Sequence, residues 1–145
     1  MTRWPEPVSP KIVDVDLTSG MSTLEEIAAE DRMRFLGGRG IAARLLARIV
    51  TSPIDPLAPE APLIFSTGTL TGTNAPMTGR SNITFVSPAT GMYCKTNVGG
   101  QFGLYCRLQG IDQLVIRGAA DGPVYLWIDG DRIEIRDATA LWGLG

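Results

Sequence analysis

The chain of 145 residues contains no histidine. That removes the side chain most often used for proton transfer near neutral pH and the commonest nitrogen ligand for metals. Cysteine is nearly as scarce: Cys94 and Cys106 stand twelve apart, with no C-x-x-C spacing. Two such thiols cannot by themselves hold an iron–sulfur cluster or a structural zinc. The expectation is two buried, reduced thiols in a cytoplasmic protein rather than a disulfide. Basic residues show no excess either. Thirteen Lys and Arg against 15 Asp and Glu leave a net charge of −2, which gives no reason to expect a nucleic-acid partner. The longest uncharged run, Ala61 to Gly79, is broken by Pro, Gly and Thr, so no membrane partner is expected from it. The first ten residues place Arg3, Glu6 and three prolines where a leader peptide would need an apolar core.

What the chain has in excess is glycine, 17 of 145 residues against a usual share of about 7%. A length of 145 residues with 44% hydrophobic content suits one domain with a real core. The stretch from Ser66 to Gly103 is dominated by Gly, Thr, Ser and Asn, and Arg80 and Lys95 are its only charged residues. Small residues and free backbone N–H groups let a chain wrap closely around a phosphate-bearing ligand. A guanidinium adds a flat fork of donors for phosphate or a planar heterocycle. A set of tight turns between strands, without a ligand, is the alternative that composition leaves open.

The periodicities predict an α+β fold with two or more small β-sheets and about three helices. Residues 1–10 read as an irregular arm and residues 11–145 as a single domain. Lys11 to Leu17 alternates as a strand before Thr18-Ser19-Gly20. Ser22-x-x-Glu25 and Thr23-x-x-Glu26 fit a capping box, so a helix is expected from there to Phe35, ended by Gly37-Gly38. A second helix is expected from about Gly40 to Val50, with Arg39 at the joint, turned either to a ligand or to solvent. Four prolines between Pro53 and Pro62 require a loop. Strands are expected at Leu63 to Ser66, Asn82 to Ser87 and Met92 to Lys95. Asn97 is placed to cap a helix from Gly99 to Leu108. A helix beginning at Gly99 and Gly100 would present its N-terminus to anions. Gln113 to Arg117 reads as a strand. Val124 to Ile128 and Arg132 to Arg136 form a hairpin through Asp129-Gly130, with Val124 to Ile128 apolar enough to meet protein on both faces.

The order of short motifs adds a resemblance. Leu36-Gly37-Gly38-Arg39-Gly40 is followed by Asp55-Pro56-Leu57-x-Pro59-Glu60, then Thr71-Gly72-Thr73-x-Ala75-Pro76-x-x-Gly79-Arg80-x-Asn82. Next come Ser87-Pro88-x-Thr90-Gly91 and Asn97-x-Gly99-Gly100-x-Phe102-Gly103. Pro123-Val124-Tyr125, Ile133-Glu134-Ile135-Arg136-Asp137-Ala138 and Leu141-Trp142-Gly143 close the set. In this order and spacing the chain resembles the N-terminal domain of the tungstopterin aldehyde:ferredoxin oxidoreductases, from about Lys11 to Gly143. The resemblance implies a base of β-sheets under a bis-pterin dithiolene that carries tungsten, or molybdenum, with a bridging Mg ion. It places Arg80, Asn97, Gly99 and Gly100 on cofactor-binding positions. Arg80 would donate to phosphate or pterin, Asn97 could offer a carbonyl to the Mg ion, and the two glycines would admit the cofactor. Lys95 and Asn82 are secondary candidates.

The same resemblance implies what is missing. The family's cysteine-bound iron–sulfur cluster, second phosphate loop and acid/base groups lie beyond the matched region, so no iron–sulfur cluster and no catalytic residue is expected in this chain. Two readings follow. In one, the chain is the cofactor-binding part of an oxidoreductase, acting as a homo-oligomer or with a partner chain that supplies the remaining domains. In the other, it is a stand-alone homologue that binds or delivers the pterin, or regulates a full-length enzyme. Beside these two stands a third reading, a truncated product that binds nothing. An exposed apolar face would favour the first.

Overall fold

The computed structural model describes residues 10–144. The N-terminal arm therefore lies almost wholly outside the described residues. Eleven elements follow in the order β1 (Lys11–Asp16), β2 (Met21–Glu26), α1 (Ala29–Phe35), α2 (Arg39–Ile49), β3 (Leu63–Thr67), β4 (Ser81–Val86), β5 (Tyr93–Val98), α3 (Phe102–Leu108), β6 (Ile111–Arg117), β7 (Val124–Asp129) and β8 (Arg132–Asp137). Six strands form one mixed sheet in the order β2-β1-β6-β3-β4-β5, and β7 and β8 form a separate antiparallel hairpin. The α+β expectation, with three helices and two sheets, matches this architecture.

Strand alternation divides the core in two. Ile12, Ile64 and Val115 point to one face, where Ile41, Ala42, Leu45 and Leu46 of α2 cover them. Val13, Val15, Ile111 and Leu114 point to the other, under Cys106 of α3 and under Leu126, Ile128, Ile133 and Ile135 of the hairpin. The α2 stripe is the one its sequence spacing predicts, since 41, 45 and 49 recur near the helical period. Burial pushes the Cys106 thiol above its ordinary range. Cys94 is half-buried rather than buried, and both thiols are free. No helix among the described residues is long and apolar enough to cross a membrane.

Four local expectations are corrected. The capping boxes at Ser22 and Thr23 do not start a helix: Met21–Glu26 is an edge strand paired antiparallel with β1, and the helix is only Ala29–Phe35. The turn decides it. Asp16 Oδ1 accepts the Thr18 N–H at 2.9 Å and Gly20 takes φ +70°, which returns the chain onto the free edge of β1. An exposed edge strand needs no apolar alternation, so its pattern looked helical. The strand at Tyr93–Val98 runs three residues past the expected end, so Asn97 is a strand residue opposite Asn82 and not a helix cap. Helix α3 begins at Phe102 after Gln101, which leaves Gly99 and Gly100 outside it. Finally, Val124–Asp129 alternates half-buried and exposed, because the hairpin lays only one face on the main sheet. Its outer face carries Trp127, with the Arg136 guanidinium 4.3 Å from the ring centroid.

One ion pair ties α3 to the sheet. Arg107 donates to Asp112 Oδ1 at the start of β6, while Asp112 Oδ2 has no partner among the described residues and the residue is 6% exposed. Burial pushes the Asp112 carboxyl up and Arg107 opposes this. Arg107→Met would strand a buried carboxylate, so it should lower stability by about 3 kcal/mol at neutral pH. The sign of the pH dependence follows from the raised folded pKa: the loss should shrink as pH falls and the carboxyl takes up a proton. Urea melts at several pH values check this, and a deficit that stays constant down to acid pH would reject the account.

Candidate functional site

The sheet face that meets α2 changes character along its length. Beyond Ile64 and Val115 the same face carries Ser66, Gln113, Asn82 and Thr84, all buried. Buried polar groups are tolerated only when hydrogen-bonded, and these are. Ser66 donates to Gln113 Oε1 at 2.7 Å, and Gln113 Nε2 donates to the Gly38 carbonyl at 3.2 Å. Thr84 donates to Asn82 Oδ1 at 3.0 Å. Asn82 Nδ2 donates to Asn97 Oδ1 and to the Thr96 carbonyl, each at 3.0 Å. With its oxygen engaged in this way, the Asn97 amide turns its N–H₂ group away from the Asn82 bond.

Of these residues, Ser66, Asn82 and Asn97 floor a cleft of about 240 Å³ lined also by Gly38, Arg39, Gly68, Arg80, Ser81 and Lys95, with Gln113 and Thr84 bonded beneath it. Among the described residues no carboxylate lines it. A second hollow of about 290 Å³ shares Gly68 and Arg80 and runs along Thr69, Leu70, Thr71, Met77 and Thr78. Arg80 therefore stands on the ridge between the two. Strands β4 and β5 bring Asn82 and Asn97 opposite each other, and Lys95 follows two residues away on the same face. The remaining wall is the corner between α1 and α2. There Gly38 takes φ +48°, and a Cβ on it would lie 3.2 Å from the Thr67 carbonyl. Leu36 takes φ 65° and ψ −55°, and the Gly37 N–H donates to the Phe35 carbonyl at 2.8 Å. This is the strained form of the γ-turn, an arrangement costing about 1–3 kcal/mol in a non-glycine residue.

Of the four residues assigned to cofactor binding, the structure brings Arg80 and Asn97 into one cleft and leaves Gly99 and Gly100 outside its lining. The two glycines pass alongside Gly79 instead, with the Gly100 carbonyl 3.9 Å from where a Gly79 Cβ would sit. Both are exposed, and a Cβ on either would meet open space. Of the secondary candidates, Asn82 floors the cleft and Lys95 lines it, and Arg39 faces it too. Sequence reasoning missed Ser66, Ser81 and Gln113. A signal existed for Gln113: an amide inside the apolar strand Ile111–Arg117 is costly unless something specific satisfies it.

Gln113→Leu tests this floor. Ser66 Oγ and the Gly38 carbonyl would each lose a buried partner, so stability should fall by about 2–4 kcal/mol. Amide exchange should quicken at Gly38 to Gly40 more than in α3. Uniform acceleration across the chain would show that Gln113 serves the core in general and not this corner.

The geometry can be set beside known proteins. Residues 12–145 match the family described as aldehyde ferredoxin oxidoreductase, N-terminal domain. A tungsten-containing aldehyde ferredoxin oxidoreductase from Pyrococcus furiosus is 42% identical over 133 residues, covering 92% of this chain and 22% of the relative. The aliphatic sulfonate oxidoreductase, WOR-like subunit, of the same organism is 36% identical over 138 residues, again 22% of its length. Among solved structures, a chain of the active-site complex BamBC of benzoyl coenzyme A reductase, in complex with 1,5-dienoyl-CoA, superposes with a TM-score of 0.89 at 35% identity. That match covers 93% of this chain and 21% of the other. The chain thus spans about a fifth of the relatives it matches, and it belongs to the aldehyde ferredoxin oxidoreductase family, to whose N-terminal domain it corresponds.

Proposed function

We propose that the chain is the pterin-binding part of a tungsten- or molybdenum-dependent oxidoreductase of the aldehyde ferredoxin oxidoreductase type. On this reading it works with further polypeptide, in a partner chain or an oligomer, that supplies the iron–sulfur cluster and the rest of the active site. The observation that carries the reading is the cleft itself: Arg80 and Asn97 share a site with no carboxylate among the described residues of its lining, in a chain of this family. The relatives named as tungsten-containing support the metal, and the cleft supports the anion.

The residues fit such a group. Arg80 is exposed, and its side chain makes no hydrogen bond or ion pair with any described residue, so its donors are free for a phosphate or a pterin edge. Asn97 offers amide donors, and the strand it belongs to is a sheet edge, whose outward carbonyls no other strand satisfies. Such a carbonyl suits a hard cation such as the bridging Mg ion. Gly99 and Gly100 leave open space over their backbone, which a large planar ligand needs in order to approach. Among the described residues no three of Cys, Asp and Glu cluster as metal ligands. As the family resemblance implies, the tungsten would be held through the pterin sulfurs, and it would supply the redox centre when bound. What this chain's own residues do is orient the cofactor and neutralise its phosphates. A cytoplasmic setting suits the two free thiols.

The surface supports an assembly. Leu36, Leu70 and Met77 beside the cleft are exposed, as are Phe102, Tyr105, Leu108 and Trp142. A monomer seldom leaves so many large apolar side chains open. This favours the reading with further polypeptide over a stand-alone carrier.

Arg80→Ala should lower pterin and metal retained by the assembled complex about ten- to a hundredfold, as expected for one charge-assisted, bidentate contact. The melting temperature of the isolated chain should hold, because Arg80 ties down nothing in the described fold. Arg80→Lys should recover part of the loss. Pterin fluorescence after release and elemental analysis of the metal give the readouts. Undiminished cofactor in Arg80→Ala would reject the role.

A further inference from the structure

The cations of this chain are not scattered at random. Among the described residues, Lys11, Arg34, Arg44, Arg48, Arg107, Arg117, Arg132 and Arg136 each form an ion pair with an Asp or Glu. Arg32 lies within electrostatic reach of Asp112. The remaining described cations, Arg39, Arg80 and Lys95, form no ion pair within the described fold, and all three line the same cleft. In a chain whose acids outnumber its bases, three unneutralised cations around one hollow are held against their mutual repulsion. Placing Arg39 in the first turn of α2 adds to that cost, since a helix start repels cations. No side chain caps that helix, and no acidic residue occupies its first turn.

We infer that Arg39 and Lys95 join Arg80 in a three-cation site for a group carrying at least two negative charges, of the phosphomonoester or diphosphate class. This rests on the cofactor-binding reading above and specifies what the cleft recognises. Arg80 reaches from the β4 side, Lys95 from the edge strand β5, and Arg39 from the head of α2, so three separate elements converge on one anion. The neutral floor of Ser66, Ser81, Asn82 and Asn97 then supplies hydroxyl and amide groups without competing charge.

Titration of the full chain with inorganic pyrophosphate by calorimetry tests the site without the loaded enzyme. Wild type should bind saturably and more weakly as salt rises. Arg39→Gln and Lys95→Gln should each weaken binding about tenfold, and Arg80→Ala at least as much. Arg48→Gln, which breaks an exposed ion pair with Glu25, is the control and should bind as wild type. Arg39→Lys and Lys95→Arg keep the charge and should stay within about threefold. Arg39→Met and Lys95→Met, which also remove the charge, replace either Gln variant should it fail to fold. Wild-type-like binding in Arg39→Gln and Lys95→Gln would overturn the inference, as would the absence of saturable pyrophosphate binding in wild type. Loss confined to Arg80→Ala would likewise remove Arg39 and Lys95 while leaving the pterin reading intact. Pyrophosphate binding lost as expected, with pterin content of the assembled complex unchanged in all three variants, would establish the polyanion site and sink the pterin reading instead.

Discussion

The Gln113 side chain holds the functional end of this molecule together. It is fully buried on the central region of the sheet, where an unsatisfied amide would be costly. It accepts from Ser66 on the neighbouring strand and donates to the Gly38 carbonyl above. That second bond fixes the corner from which α2 starts and from which Arg39 reaches the cleft. Because the amide has both a donor and an acceptor, it can join strand and corner at once, which no apolar side chain of similar size could do. The strain at Leu36 is held by the same arrangement, since the corner is anchored on one side by Gln113 and on the other by α2 in the core.

The sheet face under α2 shows how one surface can serve stability and binding in sequence. Its apolar half is closed by Ile41, Ala42, Leu45 and Leu46. Its polar half, from Ser66 to Asn97, satisfies itself by side-chain hydrogen bonds and needs no cover from this chain. Helix α2 starts where the polar half begins, so the helix start and the polar floor together make a cleft. An apolar floor there would have been open to water. A polar floor without internal bonds would have been loose.

Charge and exposure then point outward from the same place. The ion pairs elsewhere on the surface are mostly exposed and contribute little to stability. Their effect is to leave Arg39, Arg80 and Lys95 as the concentrated positive region. Around it, Leu36 and Met77 hold positive φ while exposing large apolar side chains, which gains nothing within the described fold. Both features fit the cofactor-binding role proposed above, in a chain whose relatives are about four times as long.

The sequence by itself determined the class of fold, the α2 stripe, the proline loop, the β7–β8 hairpin and the family. Each is written in local periodicity, turn chemistry or motif order, and each needs only neighbours in the chain to be read. It also marked Arg80 and Asn97, since the sparse charge from Ser66 to Gly103 and the motif spacing single them out. The tertiary structure alone decided that Met21–Glu26 is a strand, because a vacant sheet edge outweighs a capping signal that offers only local hydrogen bonds. It decided that Asn97 faces Asn82 and not a helix, because strand pairing fixes which side chains share a face. It gathered Arg39 and Lys95 beside Arg80 across 56 residues of chain, a convergence set by sheet order and the α2 corner, and no local pattern encodes sheet order.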